Sequence, residues 1–317
     1  MNSEKVWTIK DILYWLTEKF NAAKIETARL DAQILLSYAL GLSKIQLYTH
    51  SDKPLTTQER EKLRALVKRR LSGEPVAYIT EQKDWYNLNL FVNKNVLIPR
   101  PETESLVDFI VDEIKFNQTQ AETKIVFDFC TGSGCIALAL GKLFPNYKIY
   151  AFDYSTEALT IARKNAELNT VTNVEFIELD LSQEESFTFI QKNIAKSANI
   201  ICANPPYVSE EEWEQLQKNV KLFEPKSALI SPNGGLFLGS FIYEQTLIKS
   251  LLEPSGLFCM ELSHNQPIQL ISKHFNNFSE KSYKIQAPHQ DKPTNSWFTQ
   301  SDLEGKKRFL SYIGQLN

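Results

Sequence analysis

Between Thr8 and about Leu71 the apolar positions recur at helical spacing: Ile9, Ile12, Leu13 and Leu16, then Leu30, Ile34, Leu35 and Tyr38, then Leu63, Leu66 and Val67. A stripe that returns every three or four residues is the buried face of an amphipathic helix, so residues 1–72 predict a small helical domain. Thr8 is placed to cap the first helix and Gly41 to end the second. Thr56 or Thr57 is placed to cap the third, with Glu59 or Arg60 entering its first turn.

The helical period stops at Gly73-Glu74-Pro75. Val76-Ala77-Tyr78-Ile79 and Leu88-Asn89-Leu90-Phe91-Val92 then predict two short strands in an antiparallel pair, making residues 73–98 a connector that carries a β-hairpin. From residue 99 to 317 the pattern predicts a second, larger domain. It opens with a helix from about Glu104 to Lys115 that turns Val107, Ile110, Val111 and Ile114 to one side. Strands at Lys124–Phe129, Lys148–Phe152, Val174–Glu178 and Asn199–Ala203 follow, with helices at Cys135–Leu143 and Thr156–Leu168. Such alternation implies an α/β fold, a doubly wound parallel sheet covered by helices. Later strands are predicted at Gly256–Glu261, Tyr283–Ile285 and Ser296–Thr299, the last two as a hairpin giving the sheet an antiparallel edge strand.

Composition narrows the function classes. With 43% hydrophobic and 23% charged residues the chain reads as an ordinary globular protein. Lys and Arg number 35 against 38 Asp and Glu, a net charge of -3, which leaves no general footprint for nucleic-acid binding. The polar start Met-Asn-Ser-Glu-Lys has no apolar signal core, and no stretch nears the roughly 18 apolar residues of a membrane span. A cytoplasmic monomer is the expectation. Cys130, Cys135, Cys202 and Cys259 lack Cys-x-x-Cys spacing and read as buried free thiols. His50, His264, His274 and His289 do not cluster with acidic or cysteine residues, so no metal site and no histidine acid–base role is expected.

Two motifs carry chemistry. The first is the turn Asp128-Phe129-Cys130-Thr131-Gly132-Ser133-Gly134, which follows a predicted strand where a parallel sheet binds its ligands. It does not match glycine-x-glycine-x-x-glycine, which disfavours a dehydrogenase. Asp153 ends the next strand, where a carboxylate can accept both hydroxyls of a ribose; a helix-capping turn is the competing reading. Asp180 with Leu181 could line an adenine pocket, or Asp180 could be an ordinary loop carboxylate.

The second motif, Asn204-Pro205-Pro206-Tyr207, follows the apolar run Asn199-Ile200-Ile201-Cys202-Ala203. Alone, Asn-Pro is a common turn dipeptide. After a strand, beside a glycine turn, it suits a planar nitrogen carrying two protons: the Asn204 side-chain oxygen and the Pro205 carbonyl can accept both. The prolines hold these acceptors rigidly, and the Tyr207 ring could stack on the plane. Methylation of an amide or of an exocyclic base amine is the chemistry implied. Adenine-amine DNA methylation, which requires base flipping, and a non-catalytic binding module with a vestigial cofactor fold stay open on these residues alone.

The chain resembles the HemK/PrmC family of peptide chain release factor N(5)-glutamine methyltransferases over essentially its whole length. The resemblance is carried by Ala28-Arg29-Leu30-Asp31-Ala32, by Arg69-Arg70-Leu71-Ser72-Gly73-Glu74-Pro75-Val76-Ala77-Tyr78, by Leu97-Ile98-Pro99-Arg100-Pro101-Glu102-Thr103-Glu104, by the glycine turn, by Asn204 to Tyr207 and by Phe223-Glu224-Pro225. It implies a class I, Rossmann-like S-adenosylmethionine-dependent methyltransferase. The implied substrate is the glutamine of the Gly-Gly-Gln motif in bacterial class I release factors, which the helical domain would help to bind. It implies cofactor contacts at Cys130, Thr131, Gly132, Ser133, Gly134 and Asp153, with Asp180 and Leu181 beside the cofactor pocket, and amide contacts at Asn204, Pro205, Pro206 and Tyr207, Asn204 serving the cofactor as well. For Arg100 and Glu102 an ion pair is weighed equally with cofactor contact. Cys130 stands where the family usually has glycine, and a Cys-Thr-Gly-Ser-Gly-Cys turn resembles a related enzyme that methylates glutamine in a large-subunit ribosomal protein. Glu261-Leu262-Ser263 ends in serine where the family commonly has glycine. The Arg100-Pro101-Glu102-Thr103-Glu104 segment points to the release-factor branch.

Overall fold

A computed structural model describes residues 6–116, 124–264, 266, 278–284 (backbone only), 294, 295, 297–302 and 304–314. By its contacts the chain divides into two compact units, Met1–Gln82 with Gln217–Phe223, and Lys83–Leu216 with Glu224–Asn317.

In the first unit α1 (Ile9–Ala22), α2 (Ala28–Leu40), α3 (Lys44–Thr49) and α4 (Thr57–Leu71) surround a core that includes Leu16, Phe20, Ala32, Leu35 and Leu36. Thr8 with Asp11, and Thr56 with Glu59, form reciprocal capping boxes, each satisfying two N–H groups that a helix start leaves without partners. Gly41 closes α2 at φ 66°, a left-handed conformation that costs glycine little. The short α3 is absent from the periodicity reading; its signal is the Ser43/Gln46 capping box. Asp31 on α2 accepts from Arg70 on α4 at 2.7 Å, mostly shielded from water.

Val76-Ala77-Tyr78-Ile79 is not a strand. It forms one helical turn, α5 (Val76–Thr80), because the Pro75 carbonyl accepts from the N–H groups of Tyr78 and Ile79 and Ile79 is drawn into the helical core. The hairpin exists one step later, as β1 (Gln82–Trp85) and β2 (Leu88–Phe91). Tyr86 and Asn87 join them, both at positive φ (45° and 58°), the conformation that tight two-residue hairpins require.

The second unit continues with α6 (Pro101–Phe116), β3 (Ile125–Phe129), α7 (Cys135–Leu143), β4 (Lys148–Asp153), α8 (Thr156–Leu168), β5 (Val174–Glu178), α9 (Glu184–Phe189), β6 (Ala198–Ala203) and α10 (Glu210–Gln215). Then come α11 (Lys218–Phe223), which belongs to the first unit, α12 (Phe237–Ile248), β7 (Leu252–Glu261), β8 (Phe278–Lys284), β9 (Trp297–Ser301) and β10 (Lys307–Ile313). Helix α6 starts earlier than its apolar face predicts, since Pro101 lacks only an N–H that a first helical residue does not use.

The eight strands of the large sheet run in the order β5-β4-β3-β6-β7-β10-β9-β8. Strands β3 to β7 pair in parallel, as the alternation implies. The expected hairpin of the last strands is corrected: β8 pairs with β9 in parallel, and the reversed strand is β10, inserted antiparallel between β7 and β9. Of the predicted ends, Ile285 and Ser296 lie outside the described residues. The core under the sheet is aromatic, with Phe127, Phe129, Phe152, Phe187 and Phe258 all fully buried.

The sequence order of the strands reverses between β3 and β6, and such a switch point opens a crevice at the carboxyl ends. Asp128 pairs with Cys202 and Phe129 with Ala203. The chain therefore leaves β3 into the glycine turn and β6 into Asn204 at the same level of the sheet.

Candidate active site

A cavity of about 420 Å³ lies at this switch point, within the second unit. That volume is in the range of sites for small organic ligands. Its walls come from the linker (Val96, Leu97, Pro99, Arg100), the start of α6 (Thr103), the turn Cys130–Ser133, the segment 153–155 after β4, the segment 179–182 after β5, Asn204 and Pro206, and residues between Pro225 and Leu238. Of the residues singled out in the sequence, Cys130, Thr131, Gly132, Ser133, Asp153, Asp180, Leu181, Asn204 and Pro206 line it. Gly134, Pro205 and Tyr207 do not.

The turn after β3 is a backbone device. Cys130, Gly132 and Gly134 all have positive φ, at 59°, 55° and 82°. Gly134 has a second constraint, since a Cβ there would sit 3.1 Å from the Ala162 Cβ on α8. Asp128, fully buried, accepts from the Thr131 hydroxyl at 2.6 Å and the Ala137 N–H at 3.2 Å, tying the turn to the first turn of α7. Burial pushes its carboxyl up to about 7, against the pull of those two hydrogen bonds and one from Cys202.

Asp153 serves the same turn from the next strand. One carboxylate oxygen accepts from the Gly132 N–H at 2.8 Å and the other from the Ser155 N–H at 3.0 Å, while the Thr131 N–H bonds the Phe152 carbonyl. Asp153 is not itself the helix cap, since Ser155 caps α8 by accepting from the Ala158 N–H; Asp153 holds the turn that leads into that cap, and this does not exclude the ribose reading, because a carboxylate has about four acceptor sites. Burial raises the Asp153 pKa. Asp180 is exposed and accepts from the Ser182 N–H at 2.9 Å, while Leu181 is buried in the core. Burial also raises the thiols of Cys130, well above the ordinary range, and of Cys135, to about 12, which keeps both protonated and poor as nucleophiles.

The turn after β6 is held by side chains instead. Asn204 donates through Nδ2 to the Thr103 hydroxyl at 3.1 Å. Thr103 donates to Glu261 Oε2 at 2.7 Å, and the Tyr207 hydroxyl donates to Glu261 Oε1 at 3.1 Å. Glu261, at the end of β7, is 1% exposed, and burial pushes its carboxyl up to about 7. Arg100 pairs with Glu224 at 2.6 Å, and Glu224 also accepts from the Ile98 N–H at 3.2 Å. This clamp ties the linker to Glu224, so Arg100 does form an ion pair, but with Glu224 and not with Glu102 as expected within the linker, and Arg100 lines the cavity as well.

Sequence reasoning missed three contributors. Tyr154 lines the cavity beside Asp153 and stays 53% exposed, an aromatic surface whose only sequence signal is its neighbour. Thr103 lies within the quoted linker motif but received no role. Glu261 stands out in the sequence only through the unusual serine two residues after it. Among the described residues no group of three or more His, Cys, Asp or Glu could hold a metal ion. No helix among them is long and apolar enough to cross a membrane.

Comparison with known proteins adds the following. Residues 11–80 match the family described as PrmC N-terminal domain, and residues 108–277 match the methyltransferase small domain. The chain is 37% identical over 267 residues to a release factor glutamine methyltransferase of Chlorobaculum tepidum, covering 83% of this chain and 87% of that one. It is 35% identical over 300 residues to one of Leptospira interrogans, covering 93% and 94%. Among solved structures, the hMettl16 catalytic domain in complex with a MAT2A 3′UTR hairpin superimposes with a TM-score of 0.50 at 13% identity, over 84% of this chain and 86% of that one. At that identity the likeness extends to the methyltransferase fold alone.

Proposed function

The chain belongs to the release factor glutamine methyltransferase family, and from that premise we propose how its site methylates the side-chain amide nitrogen of a glutamine. The substrate is the glutamine of the Gly-Gly-Gln motif of class I peptide chain release factors, and the methyl donor is S-adenosylmethionine. The observation that carries the reading is the shared level of the two turns: Phe129 pairs with Ala203, so the glycine turn and Asn204 enter one cavity side by side.

The cavity suits the donor. Asp153 and Tyr154 offer a carboxylate and a ring at the end of β4, where a ribose and its base would lie, and Asp180 with Leu181 closes the base side. The backbone of Cys130–Ser133 and the apolar linker residues leave room for the amino-acid end. S-adenosylmethionine supplies a methyl already activated by the sulfonium charge, so the protein's task is alignment. Orienting two reactants is worth on the order of 7 to 11 kcal/mol in favourable cases.

An amide nitrogen is a weak nucleophile because its lone pair is delocalised. Asn204, in the cavity wall, accepts one of its protons through Oδ1, and the carbonyl of Pro205, which stands between the lining residues Asn204 and Pro206, is the acceptor assigned to the other; together they fix the amide plane and draw electron density onto nitrogen. Pro205 and Pro206 lock φ and bring no N–H of their own to compete with the two acceptors. Tyr207 anchors the segment through its hydroxyl bond to Glu261. The protein acts as a cytoplasmic monomer in this reading, and the helical unit contributes to release-factor binding.

Peptide mass analysis of a class I release factor after incubation with the protein and S-adenosylmethionine tests the reading. One added methyl on the Gly-Gly-Gln glutamine is expected, absent with Asn204→Ala. A methyl appearing instead on glutamine of a large-subunit ribosomal protein would move the substrate assignment and leave the chemistry in place.

A further inference from the structure

An asparagine amide can face a substrate with either its oxygen or its NH2 group, and only the oxygen can accept an N–H proton. We infer that Thr103 and Glu261 form a positioning relay that holds the Asn204 amide with Oδ1 toward the reacting nitrogen, a role that rests on the functional reading above.

The relay follows from counting protons. An ionised carboxylate only accepts, and the Glu261 oxygens face one hydroxyl each, Thr103 at 2.7 Å and Tyr207 at 3.1 Å. The single Thr103 proton is therefore committed to Glu261, and its oxygen has only acceptor capacity left for Asn204 at 3.1 Å. Asn204 must meet it with Nδ2, which turns Oδ1 the other way. The direction of three hydrogen bonds is thus set by the charge on one buried carboxylate. Protonating Glu261 gives it one proton to donate. If that proton goes to Thr103, the Thr103 proton is released toward Asn204, and the amide is then satisfied with NH2 toward the substrate, donor against donor.

The groups that set this charge come from three parts of the chain. Arg308 on β10 favours the ionised form, Glu102 on α6 opposes it, and Tyr207 after β6 donates to it; the charge is felt in turn by Cys135 at the start of α7. Arg308 is itself held by Asp302 at 2.6 Å. Thr103 lines the cavity edge, while Glu261 does not reach it and acts through the other two.

The test compares Thr103→Val, Thr103→Ser, Glu261→Gln and Asn204→Ala with the wild type, using release factor and S-adenosylmethionine. Each variant is first checked for S-adenosylmethionine binding by calorimetry. Thr103→Val keeps shape and removes the hydroxyl; kcat is expected to fall about ten- to hundredfold, by analogy with the loss of a partner that orients a metal-binding side chain. Cofactor Kd should stay within about twofold, and Thr103→Ser should recover most of the rate. The wild-type rate should rise with pH through an acid limb that Glu261→Gln lacks, since glutamine cannot ionise. The relay is overturned if Thr103→Val turns over at the wild-type rate while Asn204→Ala is inactive, if Thr103→Ser is as poor as Thr103→Val, or if Glu261→Gln keeps the acid limb. Should Thr103→Val fail to fold, the serine variant and the two pH profiles decide. Failure of the functional reading looks different: the wild type itself leaves the release factor unmethylated, and the same ratios are then read on whichever protein it does methylate.

Discussion

Asp128 and Glu261 are both buried carboxylates at the carboxyl ends of strands in one sheet, and burial pushes both up to about 7. They differ in where their partners come from. Asp128 takes its two shorter hydrogen bonds from donors 3 and 9 residues away, Thr131 and Ala137. Glu261 takes its two from donors 158 and 54 residues away, Thr103 and Tyr207. The cofactor side of the cavity is thus a local structure, a turn that closes on its own helix. The substrate side is assembled from three distant parts of the chain and exists only once the sheet has formed.

The largest effect should fall on the assembled side. Asn204→Ala removes the acceptor for one substrate proton, and because Asn204 also lines the cavity its effect is read at saturating S-adenosylmethionine. The loss in kcat is expected to be about 10²–10³-fold, as when one preorganised hydrogen-bonding group is removed from a site of developing charge. Single-turnover assays with saturating S-adenosylmethionine read it. A rate near wild type would remove Asn204 from the chemistry and make the cavity floor, not the proline motif, the seat of alignment.

Next comes stability against pH. For both carboxylates the folded pKa of about 7 lies above the ordinary value, 3.8 for Asp128 and 4.5 for Glu261. Below about pH 3 both groups are protonated whether the chain is folded or not, and neither costs anything. As pH rises toward 7 the unfolded chain releases these protons first, so stability falls, and above 7 the cost of two buried charges is complete. Each is worth on the order of a few kcal/mol. Chemical denaturation between pH 5 and 8 should show wild-type stability declining, and Glu261→Gln declining less. Equal slopes would mean that Glu261 does not titrate in this window. A functional carboxylate whose charge destabilises the fold is the usual exchange of stability for a poised group.

Asp153 comes third. Asp153→Ala removes one charge-assisted acceptor from the ribose position and two from the Gly132 and Ser155 N–H groups. At about 1.5–3 kcal/mol for a charged hydrogen bond, S-adenosylmethionine affinity should fall about ten- to hundredfold, with kcat at saturation changed much less. Calorimetry checks the first and saturation kinetics the second. An affinity loss without any kcat change would confine the local turn to binding, while a matching kcat loss would show that the two sides are coupled.

The same contrast explains what could be read from the residues. The capping boxes at Thr8 and Thr56, the alternation of β3 to β6 with helices, and the Asp128–Gly134 turn with Asp153 all have determinants within a few residues or on the adjacent strand. They were legible. Val76–Ile79 was misread because four apolar or small residues carry no period, and the decision between strand and helix was made by Pro75 and by burial of Ile79 in the helical core. β10 was missed and the hairpin misplaced because pairing between β7, β10 and β9 is chosen by the finished sheet. Thr103 and Glu261 had no local signal at all: a threonine in a helix start and a glutamate ending a strand become partners only across 158 residues.

The smallest effect sharpens the local side. Cys130 sits at φ 59°, where an L side chain with a Cβ is strained by about 1–3 kcal/mol and glycine is not. Cys130→Gly relieves that strain but loses the packing of the thiol against the aromatic core and adds freedom to the unfolded chain. These terms oppose one another, so the net change should be under about 1 kcal/mol. Cys130→Val keeps the bulk and adds a β-branch, which this region of φ tolerates worst, and should cost about 1–3 kcal/mol. Urea denaturation of both variants, with S-adenosylmethionine affinity measured alongside, separates backbone from side chain. If valine is tolerated as well as glycine, the turn does not depend on its left-handed backbone, and the division between a backbone-held cofactor side and a side-chain-held substrate side would have to be given up. If glycine is neutral and valine costly, the cysteine is a tolerated occupant of a glycine position, and it alone gives no reason to look for a different substrate.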